Sequence, residues 1–172
     1  MTLLPYTGRT TIYSGVTMRS RLEGATAAAF DRGLVPWEYE PCAFQAPDGG
    51  QYLPDFRIRV PIHDTPLDHT DEVTAYVEVK PDIDRMLETH NSKVMHAIKV
   101  SAPSSHLIVT APATSIRALV TGPSGKAFPF AWSRCVECQR VHLIVSEHLG
   151  FKCCDTRLTY AYLLPLDYWK RP

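Results

Sequence analysis

Long apolar runs are missing from this 172-residue chain. With them goes any expectation of a bilayer-spanning helix, which needs about 20 such residues. A glycine-rich phosphate loop is missing too, which argues against ATP-driven work by this chain alone. Internal repeats and low-complexity tracts are absent. The opening Met1-Thr2-Leu3-Leu4-Pro5-Tyr6 has neither the charged start nor the apolar core of a signal peptide. A cytoplasmic protein with no membrane partner is therefore expected. Net charge is lacking as well. Eighteen basic side chains face 18 acidic ones, so bulk charge announces no polyanionic partner.

What is present fits one globular domain with a small appendix. The chain is 45% hydrophobic and 21% charged, enough to build a core without staples. Charge is unevenly spread. Residues 61–92 hold eight acidic and two basic side chains, and residues 93–172 hold ten basic and four acidic. An acidic middle followed by a basic C-terminal half is compatible with a metal site beside a phosphate-gripping surface.

Local patterns set out the elements. A helix is expected from Thr17–Ser20 through Arg21 to Asp31, ending at Gly33, with Leu22, Thr26, Ala29 and Phe30 spaced to pack on a sheet. Gly24 weakens that helix or admits a close neighbour. Trp37-Glu38-Tyr39-Glu40 reads as a strand. Pro47-Asp48-Gly49-Gly50 reads as the turn of a hairpin between Ala43–Gln45 and Gln51–Val60, with Pro61 as the stop. Residues 61–72 read as a loop, Ile83–Lys99 as a helix, and Leu107-Ile108-Val109-Thr110 as a buried strand. The expected architecture is α/β, with a mixed central sheet flanked by helices. The expected domains are residues 1–127 and a cysteine-containing appendix, 128–172.

Two segments carry chemistry. Pro54-Asp55 lies on the first motif strand, and Glu78-Val79-Lys80 ends the second. Strand alternation puts Glu78 and Lys80 on one face and Val79 on the other. A carboxylate pair binds Mg²⁺ through oxygen, and a nearby lysine helps activate water. That combination suits phosphodiester cleavage.

With Arg19-Ser20-Arg21-Leu22-Glu23 upstream and Trp37-Glu38-Tyr39-Glu40-Pro41 between, Tyr52-Leu53-Pro54-Asp55-Phe56 and Val77-Glu78-Val79-Lys80 resemble the PD-(D/E)XK nuclease superfamily. The resemblance covers about residues 18–110. It is similar to compact phage and actinobacterial nucleases, and in its Glu-Val-Lys-Pro ending to the transposon-end nuclease TnsA. It implies a restriction-endonuclease-like core and a Mg²⁺- or Mn²⁺-dependent endonuclease acting on DNA in a bacterial or phage-infected cell. It further implies that Asp55 and Glu78 ligate the metal, with the Val79 carbonyl as third ligand and Glu23 completing the shell. Lys80 would orient or deprotonate the attacking water. A non-catalytic DNA-binding or assembly subunit of a recombination or transposition complex is the alternative. A homodimer or a larger complex is compatible with either.

Five cysteines point to a reduced compartment. Cys135-Val136-Glu137-Cys138 has the spacing of a zinc knuckle. Cys153 and Cys154 follow, but adjacent residues on a strand face opposite ways. Structural Zn²⁺ held by these four, with His142 or His148 as a substitute ligand, stands against reduced cysteines in a core.

Overall fold

The computed structural model describes residues 9–46, 49–63, 72–90, 93–115, 117–145, 150–152 and 158–163. The described part of the chain opens with a hairpin of β1 (Thr11–Tyr13) and β2 (Val16–Met18). Ser14 and Gly15, with φ of 50° and 80°, make its turn, the positive-φ pair that matches strand twist.

Helix α1 spans Arg21–Arg32, with Ser20 as N-cap and Gly33 as C-cap. The Ser20 hydroxyl accepts from the Glu23 amide at 3.1 Å, satisfying one donor the helix start leaves open. Gly24 admits a close neighbour. A Cβ there would lie 2.5 Å from Thr11 Cγ2. Next come β3 (Trp37–Tyr39), β4 (Phe44–Gln45) and β5 (Gln51–Tyr52). The last two form the expected hairpin, with Phe44 opposite Tyr52 and Gly49 at φ 84°, but its second strand stops at Tyr52 and does not run on through Asp55 to Val60.

Strands β6 (Phe56–His63) and β7 (Glu72–Val79) pair antiparallel. Pro61 does not end β6. The Arg59 amide donates to Pro36 O, on the β3 side, so Pro61, two residues on, faces that same side. There β3 has finished and β11 pairs only from Ile62, so the missing proline N–H leaves no ladder bond unmade. The connection after β7 carries α2 (Ile83–His90) and α3 (Lys93–Ser101), two helical stretches where one was expected. It returns to β8 (His106–Thr110), parallel to β7. Then follow β9 (Arg117–Thr121), β10 (Ala127–Cys135), β11 (Val141–Val145), β12 (Gly150–Lys152) and β13 (Leu158–Leu163).

The expected α/β architecture, a restriction-endonuclease-like core with a helix-flanked mixed sheet, is corrected here. Strand makes up 44% of the structure and helix 21%, and six strands close into a barrel. The order is β6, β7, β8, β9, β10, β11, and β11 returns to β6 in parallel through Leu143–Ile62 and Ile144–His63. The reason is physical. The β10–β11 hairpin presents a second apolar face, with Phe130, Trp132, Val141 and Leu143 buried in one core with Ile58, Val60 and Val77. Burying that face folds the sheet back on itself instead of leaving it open. Residues on both sides of the 127/128 boundary thus enter the same sheet.

Helix α1 packs where β6 and β11 begin and β7 and β10 end. Phe30 meets Phe56 edge-on at 5.5 Å and Trp132 at 5.9 Å. Thr26, Ala27, Ala28 and Ala29 are buried beside it, because a helix enclosed on most sides has room only for small side chains. Helices α2 and α3 cover the outside, where Met86 and Ile98 pack on Leu107 and Val109. Ile108 points the other way, into the barrel core. Covering on both faces explains why Leu107, Ile108 and Val109 are apolar in succession. Among the described residues no helix is long and apolar enough to cross a membrane.

Candidate active site

At the α1 end of the barrel, Arg19, Glu23, Asp55, Glu78, Val79 and Lys80 line one open cleft of about 270 Å³. They come from four places: the start of α1, the approach to β6, the end of β7 and the residue after it. The barrel brings them together. Phe56 pairs with Val77, which sets Asp55, one residue before the strand, beside the end of β7.

Asp55 is 4% exposed. Its Oδ2 accepts from the Val79 amide at 2.8 Å and its Oδ1 from Arg19 Nη2 at 2.8 Å. Burial and then the charge of Glu78 push its pKa up to about 8, with Glu23 adding to the rise and the Val79 amide and Lys80 opposing it. Glu78 is buried as well. Lys80 Nζ donates to its Oε1 and the Tyr52 hydroxyl to its Oε2. Tyr52 is raised well above the usual phenol range by burial and by Glu78, so it stays a donor. The Glu78–Lys80 bond requires both side chains on one face, the alternation expected of this strand. Val79 points into the apolar core.

Glu23 lies in the same cleft and already has partners. Its Oε1 accepts from the Ser20 hydroxyl at 2.8 Å. Its Oε2 accepts from the Tyr39 hydroxyl at 2.6 Å and from the Arg19 amide at 3.1 Å. The Tyr39 bond ties the helix start to β3, and the Arg19 bond takes up the amide just before the Ser20 N-cap. Tyr39 is pushed up to about 12 by burial and by its bond to Glu23.

Three buried carboxylates converging on one cleft, countered there by Arg19 and Lys80, suit a hard divalent cation that takes oxygen ligands. The Arg19 guanidinium is paired with Asp55 and the Lys80 ammonium with Glu78. Among the described residues no three His, Cys, Asp or Glu side chains form a ready-made ligand set.

Sequence reasoning passed over Arg19 and Tyr52 as functional groups. A signal existed for each. Arg19 directly precedes the N-cap of the glutamate-bearing helix, and Tyr52 stands three residues before Asp55.

The cysteine constellation is only partly described. Cys135 is buried at the end of β10, and Cys138 packs beside it in the turn to β11. Cys153, Cys154 and His148 lie outside the described residues. Cross-strand register puts His142 opposite Ser133, on the same outer face as Cys135. Its Nδ1 lies 3.0 Å from His63 Nε2. Burial first, then His63 and Arg140, hold the His142 pKa down to about 3.

A larger apolar cavity of about 580 Å³ opens at the opposite end of the barrel, between Ile62, Val73, Val120 and Phe130. It is remote from the carboxylates. No protein-family model, curated protein or solved structure matches the chain.

Proposed function

We propose that this protein is a metal-dependent endonuclease that hydrolyses DNA phosphodiester bonds with a PD-(D/E)XK-type site. One observation carries the reading. Asp55, Glu78 and Lys80, with Glu23 beside them, line a single cleft although they come from three parts of the chain: α1, the approach to β6 and the end of β7.

Asp55 and Glu78 would hold Mg²⁺ or Mn²⁺, with the Val79 carbonyl and Glu23 as further ligands. When bound, the ion supplies positive charge that polarises the phosphate and acidifies water. The chain's own groups do the rest. Tyr52 fixes the Glu78 carboxylate, and the Val79 amide fixes Asp55. Lys80, held on Glu78, orients the attacking water and offsets the charge that develops on the phosphate oxygens. Water oxygen bonds to phosphorus, the bond from phosphorus to the 3′-oxygen breaks, and a 5′-phosphate and a 3′-hydroxyl result. Cys135 and Cys138 are proposed to join Cys153 and Cys154, or His142 or His148, on a structural zinc ion that fastens the C-terminal segment.

The test is a substrate panel of supercoiled, linear, nicked and four-way-junction DNA, each with Mg²⁺, Mn²⁺ or EDTA, with metal analysis of the same sample. Cleavage that needs the divalent ion supports the reading. Tight DNA binding without cleavage in any metal assigns the chain instead to a DNA-binding or assembly subunit. About one zinc per chain supports the cysteine site, and a zinc-free folded sample removes it.

A further inference from the structure

Arg19 holds a position that catalysis by this site cannot leave as it is. Its side chain is 57% exposed, yet its guanidinium reaches the 5%-exposed Asp55 carboxylate, with Nη2 to Oδ1 at 2.8 Å. Its Nε lies 2.8 Å from Glu40 Oε1. The planar fork therefore sits where positive charge is wanted, on a carboxylate that the proposed function gives to the metal. A guanidinium and a divalent cation compete for the same Asp55 oxygen.

The rest of the segment stays fixed if the fork moves. The Arg19 amide is bonded to Glu23 and to the Tyr39 hydroxyl, and these bonds do not involve the side chain. Glu40, the second partner, has φ 46°, a left-handed conformation that costs a non-glycine residue on the order of 1–3 kcal/mol and is often found at functional sites. Its amide donates to Asp55 O at 3.0 Å, which holds it against the same loop. The result is a long cationic side chain on an anchored backbone at the mouth of the cleft. It has one exposed body and two carboxylate partners.

We infer that Arg19 is a phosphate clamp with two positions. In the DNA-free protein its guanidinium stands on Asp55 in the place of the cation. When cation and DNA bind, it leaves Asp55 while Glu40 steadies it, and its N–H fork takes the non-bridging oxygens of the phosphate being cleaved. Guanidinium geometry matches two phosphate oxygens at once. The inference rests on the hydrolytic reading of this site and adds to it a residue that contacts substrate.

The experiment compares wild type, Arg19→Ala and Arg19→Lys in two measurements: calorimetric Mn²⁺ binding without DNA, and single-turnover cleavage of a duplex at saturating Mn²⁺. Arg19→Ala is expected to bind Mn²⁺ about tenfold more tightly, because the competing charge is gone. It is also expected to cleave roughly a hundredfold more slowly, the usual loss for one donor aimed at developing charge. Arg19→Lys should recover part of the cleavage rate, since it keeps charge without the fork. A purely structural role would not move binding and cleavage in opposite directions. Unchanged or weaker Mn²⁺ binding by Arg19→Ala overturns the competition. Wild-type cleavage by Arg19→Ala overturns the clamp and leaves the hydrolytic reading standing. A wild type that binds Mn²⁺ and cuts none of the panel overturns the hydrolytic reading, and the clamp falls with it.

Discussion

Replacing Asp55 with asparagine removes a buried ionisable group while keeping the side chain's shape. Burial, with Glu78 beside it, raises the Asp55 pKa from an ordinary 3.8 to about 8. Between those values the folded chain keeps a proton that the unfolded chain has released. The contribution of Asp55 is therefore fully present below about pH 4 and is lost as pH rises through about 8. At about 1.4 kcal/mol per tenfold change in proton affinity, the loss at pH 7 is on the order of 4 kcal/mol in the metal-free protein. Asparagine avoids it. The carbonyl oxygen of the new amide can still accept from the Val79 amide, but its NH₂ group faces the Arg19 guanidinium, so one bond is forfeited at a cost of about 1 kcal/mol. The net gain is roughly 2–3 kcal/mol, or about 5–10 °C in Tm for a chain of this size. The assay is thermal unfolding in EDTA from pH 5 to 9. Asp55→Asn should melt above wild type at pH 8, the gap should shrink toward pH 5, and added Mn²⁺ should raise the Tm of wild type only. A variant that melts below wild type at pH 8 would refute the reasoning, because it would mean that the Arg19 and Val79 bonds outweigh the burial of the charge.

Three further outcomes follow from the packing. Gly24→Ala places a methyl group 2.5 Å from Thr11 Cγ2 and should cost about 1–3 kcal/mol by denaturant unfolding. Thr11→Ser, which removes that methyl, should restore most of the loss in the double variant. His142, held down to about 3 by burial, contributes stability that is present above about pH 6.5 and lost as pH falls toward 3. In the Asp55→Asn background, where the opposing carboxylate is gone, this should appear as a slope of up to about 1.4 kcal/mol per pH unit, and His142→Phe should flatten it. Tyr52→Phe removes the hydroxyl that fixes Glu78 and should lower single-turnover cleavage roughly tenfold with little change in DNA affinity, as expected for a positioning contact.

Much of the local structure was legible because local rules determine it. Ser20 and Gly33 bracket α1 by capping chemistry, Gly49 turns the β4–β5 hairpin, and alternation along β7 puts Glu78 and Lys80 together. The barrel was not legible. Its closure depends on the parallel meeting of β11 with β6 through two residue pairs, far apart in the chain, and no periodicity within either strand specifies its partner. Pro61 read as a stop because the gap between β3 and β11 that accommodates it exists only in the assembled sheet. The run of small residues in α1 did hold a clue, since it marks a helix enclosed on most sides and not one lying on an open sheet. In the site, the carboxylates and the lysine were visible as residue types at a spacing. Arg19 and Tyr52 act through contacts that reach 36 and 26 positions along the chain, which no local pattern encodes.

The central claim is that Asp55, Glu78 and Lys80 act together in one cation-dependent hydrolytic centre. The most direct test is the single-turnover cleavage rate of DNA in Mn²⁺ by wild type beside Asp55→Ala, Glu78→Ala and Lys80→Ala, each first shown to be folded by its melting transition. The expected result is cleavage by wild type, none in EDTA, and loss of activity in every variant. Cleavage that persists in all three folded variants would contradict it.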